Sequence, residues 1–118
     1  MNRFSRRYEF ENELKKLSKK FPSLEHDLKS FEEILAIEPL GIGKNFTILH
    51  DREEVVIVKA RLACRSLQGD RSLRIIYAHH RDTISFVYIE LYYKANKSNE
   101  DRNRYHAYVE EFLANGLK

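Results

Sequence analysis

The chain has 118 residues, of which 42% are apolar and 12% aromatic, and its formal net charge is only +3. These values predict a single folded domain over residues 1–118 and exclude a long disordered chain. No apolar run reaches the roughly 18 residues of a membrane-spanning helix. The basic start of the chain leads into charged sequence rather than into the apolar stretch of a signal peptide. The single cysteine, Cys64, excludes an internal disulfide and a four-cysteine zinc site. We therefore expect a cytoplasmic protein.

The positive charge is concentrated in the middle of the chain. Residues 1–39 and residues 96–118 each carry equal numbers of basic and acidic side chains, so residues 40–95 hold the whole net charge of +3. Within that segment, residues 55–81 contain six basic side chains against Asp70 alone. A concentrated positive field attracts polyanions, although it carries no information about the fold.

Two helices are predicted at the start of the chain. Apolar residues recur at helical spacing from Phe10 to Phe21 and again from Leu24 to Leu35. Pro22 ends the first helix, because the residue before a proline is disfavoured in the α region, and Ser23 is a suitable N-cap for the second. Helices joined by so short a turn should pack as an antiparallel hairpin. A short edge strand at residues 8–10, ahead of the first helix, is an open alternative.

From Lys44 onwards the apolar residues follow a period of two, which is typical of strands. The predicted strands are Phe46–Leu49, Glu54–Arg65, Leu73–Ala78 and Thr83–Tyr93. Short turns between them imply adjacent antiparallel strands. A final helix follows, with a capping box over Ser98–Asp101 and an apolar face from Tyr105 to Phe112. The sequence thus predicts an α+β fold in which an N-terminal helical hairpin packs on a small antiparallel meander sheet, followed by a C-terminal helix.

Basic side chains on the second predicted strand are the strongest candidates for a functional site. Lys59 and Arg61 share one face of the strand, and Arg65 should lie further along the same face. Arg74 lies on the next strand and joins them if the register allows. Converging cations can hold a phosphodiester and stabilise the additional charge of its transition state. An ordinary solvated sheet face is the alternative, because antiparallel sheets often face water on one side.

Aromatic residues accompany these cations. Rings beside basic groups can stack on unpaired RNA bases, but we expect most of the strand aromatics to belong to the core. At least one of Tyr92 and Tyr93 must face outward, since adjacent residues of a strand point to opposite faces.

Other chemically capable residues have structural explanations. His79 and His80 are expected in an exposed turn, and no further metal ligands at suitable spacing accompany them. Glu90 is either a general base or, as we favour, the ion-pair partner of an arginine. Cys64 lies on the apolar face of its strand and should be a small core residue.

Several runs of residues match a known family in their order and spacing. The runs are residues 14–24 (LKKLSKKFPSL), 59–66 (KARLACRS), 73–77 (LRIIY) and 89–94 (IELYYK). Together they resemble a RelE/ParE-type toxin of a bacterial toxin–antitoxin system, over most of the chain from about Phe10 to the last helix. The resemblance implies a small antiparallel sheet with a helical hairpin on one side and a concave basic face.

For RelE-like members, the resemblance implies an endoribonuclease that cuts mRNA on the ribosome by attack of a ribose 2′-hydroxyl on the adjacent phosphate, without a metal or a cofactor. Lys59 and Arg61 match the basic strand that assists proton transfer and holds the phosphate. Arg74 matches the arginine that stabilises the transition state, and Lys94 falls near the family's C-terminal basic residue. The candidates for further RNA contacts are Arg65, Arg71, Tyr93 and Tyr105.

The sequence departs from the family pattern and leaves alternatives open. Leu73 stands where the family usually has an aromatic residue or a glycine, and no residue clearly corresponds to the carboxylate that some relatives use as acid or base. One alternative is a ParE-like toxin that inhibits DNA gyrase by protein binding, and another is an inactive domain. The expected partners are a cognate antitoxin and the ribosome with its mRNA, with operator DNA bound only by the toxin–antitoxin complex. No membrane partner is expected.

Overall fold

The computed structural model describes residues 3–52 and 54–116 of the chain. Three helices, five strands and one short 3-10 turn make up this part of the protein. In chain order they are β1 (Arg3–Arg6), α1 (Tyr8–Lys20), α2 (Leu24–Ile37), β2 (Phe46–Arg52), β3 (Val55–Cys64), the 3-10 turn (Arg65–Leu67), β4 (Asp70–His80), β5 (Ser85–Tyr93) and α3 (Arg102–Gly116). No helix in these ranges is long and apolar enough to cross a bilayer.

The sheet has the strand order β1-β5-β4-β3-β2. Strands β2 to β5 form the predicted antiparallel meander, and with the helices they confirm the α+β fold class. The sheet is not purely antiparallel, however, because β1 pairs with β5 in parallel, from Arg3 opposite Ser85 to Arg6 opposite Tyr88. An edge strand therefore precedes the first helix, but residues 8–10 belong to α1. A four-residue strand is too short to show a clear period of two in the sequence.

One face of the sheet packs against α1 and α2, and we call it the inner face. The alternation along β3 places one set of its residues on this face, as predicted: Val56, Val58, Ala60, Leu62 and Cys64. They are buried with Phe10 and Leu14 of α1 and with Leu28 and Phe31 of α2. Burial of this apolar area is the main source of stability for the hairpin on the sheet, and Cys64 is confirmed as a core residue.

The opposite face, which we call the outer face, is divided into two parts. An apolar part is covered by α3, whose Tyr105 and Val109 are buried against residues of three strands: Val55, Ile57, Ile76, Ala78 and Ile89. A basic part carries Lys59 and Arg61, further along β3. The sequence predicted cations on this face but not the apolar seat for the last helix.

His79 and His80 are not in an exposed turn, as predicted, but at the end of β4 and buried. The His79 ring stacks on Phe86 with ring centroids 4.7 Å apart. His80 Nε2 lies 2.5 Å from the hydroxyl of Tyr108 on α3. The prediction failed because residues distant in sequence cover both faces of the strand end. Phe86 of β5 packs on His79 at the inner face, and α3 covers His80 at the outer face.

An ion pair joins α1 to α3 where β5 runs beyond its partner β1. Arg104 of α3 donates two hydrogen bonds to Glu13 of α1, over 2.6 and 3.1 Å. The same two side chains bind the backbone of β5: the Leu91 N–H donates to Glu13 Oε1 over 3.0 Å, and Arg104 donates to the carbonyl of Ile89. Strand β1 ends opposite Tyr88 and does not reach Ile89 and Leu91. The Glu13–Arg104 pair thus supplies the hydrogen-bond partners of their backbone groups.

Two predicted caps take other roles. Ser23 precedes α2, but its hydroxyl donates to Asp27 Oδ2 over 2.7 Å, accepts from the backbone N–H of Ser66 over 2.8 Å, and caps no backbone N–H of α2. At α3 the helix begins at Arg102, and Asp101 rather than Ser98 accepts from the backbone N–H of Arg104, over 3.3 Å. The predicted capping box is therefore wrong by one turn, which frees Glu100 for a contact with the sheet.

Replacing Arg104 with alanine should lower the free energy of unfolding by about 1–3 kcal/mol, because the variant leaves Glu13 and the Ile89 carbonyl without their charged partner. Urea unfolding followed by circular dichroism measures the change. Arg102→Ala, an exposed residue of the same helix, is the control and should change it by less than about 0.5 kcal/mol. Equal effects of the two variants would contradict the role given to the Glu13–Arg104 pair.

Stability should fall in mild acid. Burial lowers the pKa of His79 and of His80 in the folded protein. The unfolded chain then binds more protons below its ordinary histidine pKa of about 6.5, so stability is full above that pH and is lost as the pH falls through it.

Urea unfolding at about pH 7.5 and about pH 5.5 tests this dependence. The variant His80→Gln keeps a polar group beside Tyr108 but does not titrate. Between the two pH values it should lose less free energy of unfolding than the wild type. The exposed His26 provides the control substitution His26→Gln, which should leave the loss unchanged. Constant or rising stability of the wild type towards the lower pH would contradict the prediction.

Candidate functional site

Two arginines face each other at the centre of the basic part of the outer face. Arg61 of β3 and Arg74 of β4 are direct partners in the antiparallel register, so their side chains leave the same face of the sheet. Like charges in this position repel each other and destabilise the pairing. No carboxylate of residues 3–52 and 54–116 forms an ion pair with either one. Arg74 instead donates to the backbone carbonyls of Arg71 and Leu73.

Tyr92 on the neighbouring strand lies in line with Arg61 and Arg74 across the sheet. It is the register partner of Arg74 on β5 and is 5% exposed. Its hydroxyl donates to Glu100 Oε1 over 3.4 Å. Burial, helped by the nearby charge of Glu100, raises the pKa of Tyr92 to about 12. Tyr92 is therefore a neutral hydroxyl donor at physiological pH.

Lys59 and Glu100 complete the group. Lys59 lies two residues before Arg61 on the same face of β3, and its Nζ is 3.0 Å from Glu100 Oε1. Burial acts to raise the pKa of Glu100, but hydrogen bonds from backbone and from Lys59 and Tyr92, with the charge of Lys59, outweigh it, and the net pKa is lowered. Glu100 is thus an ionised acceptor that contacts an ammonium and a phenol. We call Lys59, Arg61, Arg74, Tyr92 and Glu100 the cationic cluster.

Glu90 holds the segment that brings Glu100 to the cluster. Its side chain is 1% exposed, accepts from the backbone N–H of Asp101 over 2.8 Å, and forms an ion pair with Lys97. The predicted ion-pair role is thus confirmed, although with a lysine instead of an arginine. A register shift opposite Ile76 breaks the alternation of β5, so Ile89 and Glu90 both lie on the outer side.

The structure brings together three of the four predicted catalytic residues, Lys59, Arg61 and Arg74. The fourth, Lys94, directly follows β5, is exposed, and donates to the carbonyl of Ser98 over 2.7 Å. It closes the loop that leads to Glu100 and borders the cluster. The chemical roles of these four residues stay predictions.

The predicted RNA-contact residues are divided between different surfaces. The expectation that Arg65 shares the face of Lys59 is wrong, because β3 ends at Cys64 and the chain turns, placing the Arg65 side chain against His26 and Ser30 of α2. Arg71 is exposed and donates to the carbonyl of Arg61 over 3.1 Å. It therefore lies beside the cluster.

The two predicted tyrosines do not lie in the cluster. Tyr93 points to the inner face, where its ring packs edge-on against Phe21 with centroids 5.0 Å apart. Tyr105 is 4% exposed and belongs to the seat of α3. The tyrosine beside the cations is Tyr92, which strand alternation could have identified once the outward position of Arg74 and its register were known.

Glu100 was missed because its sequence context is that of a helix cap. It lies inside the run Ser98–Asp101, in which a carboxylate three residues after a serine is the usual signature of a helix start, and nothing local indicates that Glu100 contacts a strand residue 41 positions earlier. Among the residues that the structure describes, no group of three or more histidine, cysteine or acidic side chains could hold a metal ion.

Comparison with known proteins gives one informative likeness. The fold is similar to that of a chain in the crystal structure of the archaeal RelE–RelB complex from Pyrococcus horikoshii OT3, with a TM-score of 0.60 and 19% sequence identity, over 79% of this chain and 94% of that chain. No protein-family model matches the sequence, and the search of curated proteins finds no match. The resemblance to RelE/ParE-type toxins is thus confirmed at the level of the fold.

Replacing Arg61 with glutamine should stabilise the free protein, because it removes the repulsion between two opposed cations. We expect a gain in the free energy of unfolding of about 0.2–1 kcal/mol at low salt. The gain should shrink in about 1 M salt, where charges are screened beyond about 3 Å.

Arg81, an arginine whose Nη1 is 2.9 Å from Asp51 Oδ1, provides the control substitution Arg81→Gln, which should give no gain. Chemical denaturation at two salt concentrations measures both variants. A loss of stability in Arg61→Gln would contradict the interpretation of Arg61 and Arg74 as an uncompensated pair.

Proposed function

We propose that this chain is the toxin of a toxin–antitoxin pair, an endoribonuclease that cleaves mRNA on the ribosome in the cytoplasm. One observation carries the proposal: Arg61 and Arg74 stand opposite each other, and no acidic residue in the described part of the chain pairs with either, so their repulsion costs the fold stability. An arrangement that costs stability is typical of a functional site. The likeness to RelE in its complex with RelB supports a toxin with an antitoxin partner.

The proposed reaction is a transesterification within the RNA strand. The ribose 2′-oxygen attacks the adjacent phosphorus, the bond from phosphorus to the 5′-oxygen of the next nucleotide breaks, and the products carry a 2′,3′-cyclic phosphate and a 5′-hydroxyl. Arg61 and Arg74 bind the non-bridging oxygens and stabilise the charge that develops on them. One P–O bond forms and one breaks, one proton leaves the 2′-hydroxyl and one reaches the leaving oxygen. No atom changes its oxidation state, so the reaction needs no redox partner.

Lys59, Tyr92 and Glu100 are the residues that we assign to proton transfer. The Glu100 carboxylate accepts the 2′-proton, and the Lys59 ammonium or the Tyr92 hydroxyl donates to the leaving 5′-oxygen. Glu100 Oε1 lies 3.0 Å from Lys59 Nζ and 3.4 Å from the Tyr92 hydroxyl, so the proposed base is next to both proposed acids. Lys94 and Arg71 border the cluster and bind flanking phosphates in this proposal, whereas Arg65, Tyr93 and Tyr105 have no part in it.

Expression of the chain alone should arrest growth by stopping translation. Replacing both Lys59 and Arg74 with alanine should relieve the arrest, because loss of one preorganised donor to a transition state commonly costs about 100- to 1000-fold in rate. Growth curves and primer extension on mRNA from induced cells are the measurements. Lys16→Ala, an exposed lysine of α1 behind the sheet, is the control and should leave the arrest unchanged.

The cleavage pattern separates the proposal from its alternative. Cuts confined to translated codons are the expected result. Undiminished toxicity of the Lys59→Ala, Arg74→Ala variant would contradict the nuclease proposal. Intact mRNA together with relaxed or linearised DNA would instead indicate a ParE-like inhibitor of DNA gyrase, which does not need the cationic cluster.

A further inference from the structure

A groove lies between α2 and the end of the β3–β4 hairpin. None of the five residues of the cationic cluster lines it, and Arg71 lies between the groove and the cluster. The groove is partly open to solvent and has a volume of about 200 Å³. Its walls are mainly apolar, from Phe31 and Ile34 of α2 and from Leu62 and Ala63 of β3. Since a cavity of about 150 Å³ is enough to admit benzene, this one has room for a branched aliphatic side chain.

An apolar stripe extends the groove along α2. Ile34 is 46% exposed and Ile37 is 80% exposed. Residues three apart on a helix are neighbours on its surface, so the stripe continues from the cavity towards the end of α2. Ile34 and Ile37 thus join the apolar wall of the groove into one contiguous exposed surface, and contiguity distinguishes a binding surface from scattered exposed apolar residues.

Two arginines form the rim of the groove on the sheet side. Arg65 and Arg71 both line it and both are exposed. The acidic partner of Arg65 among the described residues is the buried Asp27, with Nε 3.9 Å from Oδ1, and this carboxylate is already bound by Ser23 and by the Arg65 backbone. The side chain of Arg71 forms no ion pair with the described acidic residues and donates to a backbone carbonyl. The rim therefore carries positive charge that an acidic partner would neutralise.

We propose that this groove is the seat of an acidic amphipathic segment of a partner protein, which inserts aliphatic side chains between α2 and the hairpin and pairs its carboxylates with Arg65 and Arg71. Isoleucines favour a protein over RNA as the occupant, because bases stack on aromatic or guanidinium planes rather than on branched aliphatic groups. An amphipathic helix lying in an apolar groove is a common mode of recognition. The partner role rests on the proposed function, in which the segment belongs to the antitoxin.

Two synthetic helical peptides test the groove without any cleavage assay. Both carry the same leucine stripe, one flanked by glutamates and the other by lysines. With the full chain labelled with ¹⁵N, titration of the acidic peptide should shift the amide signals of Ile34, Leu62, Ala63 and Gly69. The basic peptide should bind at least about fivefold more weakly, because its charges oppose the rim.

Matched variants locate the interaction. Ile34→Glu should weaken binding of the acidic peptide about tenfold, as for an anchor residue at an interface, and Arg65→Gln with Arg71→Gln should abolish the preference between the peptides. Lys15→Gln with Lys16→Gln removes two exposed cations from α1 and should leave the preference intact. Circular dichroism and urea unfolding confirm that each variant is folded.

Three outcomes would overturn the inference: no binding of the acidic peptide, equal binding of both peptides by the wild type, or signal shifts outside the groove. Shifts of the groove signals caused by a single-stranded RNA oligonucleotide but not by the acidic peptide would assign the groove to RNA instead. Each result is independent of nuclease activity. A negative peptide-binding result therefore does not contradict the proposed nuclease function. A negative cleavage result likewise leaves the peptide-binding experiment interpretable.

Discussion

The backbone of β5 needs hydrogen-bond partners beyond the point where β1 ends, and the arrangement of the outer face depends on how this need is met. Glu13 binds the Leu91 N–H and Arg104 binds the Ile89 carbonyl, while the two side chains bind each other. A helix from each side of the sheet is thereby joined at one strand. Since buried backbone groups are rarely left without partners, this contact defines where α3 begins its path across the outer face. It also fixes the segment between β5 and α3, which carries Glu100.

The division of the outer face follows from that path. The helix covers the apolar part with Tyr105 and Val109 and leaves the basic part open, so that Arg61 is exposed to solvent and to any anion. The segment before α3 brings a carboxylate to Lys59, but none to Arg61 or Arg74. Opposed cations of this kind weaken a free sheet, and a bound phosphate would reverse their effect because its charge is shared by both. The same arrangement thus explains a local cost in stability and a capacity for binding phosphodiesters.

Much of the architecture could be predicted from the sequence, because it depends on local pattern. Two apolar stripes at helical spacing, separated by Pro22, correctly predicted the helical hairpin. The period of two from Lys44 onwards correctly predicted the meander and the residues of β3 that lie on the inner face. Contacts between distant residues could not be predicted: the parallel strand β1, the burial of His79 against Phe86 and of His80 beneath α3, and the turn of Arg65 towards α2. For the site, strand alternation placed Lys59 and Arg61 together, but Glu100 was hidden in a cap-like motif, and Tyr92 could not be preferred over Tyr93 before the register of β4 and β5 was known.

The central claim is that the cationic cluster promotes attack of a ribose 2′-hydroxyl on the adjacent phosphate, and the ends of the RNA products test it most directly. Purified protein is incubated with ribosomes that carry a defined mRNA, and a second mRNA has a single 2′-deoxynucleotide at the mapped cleavage position. The account predicts fragments with a 2′,3′-cyclic phosphate and a 5′-hydroxyl from the first mRNA and no cut at that position in the second. Equal cleavage of both mRNAs, or 5′-phosphate ends, would contradict it.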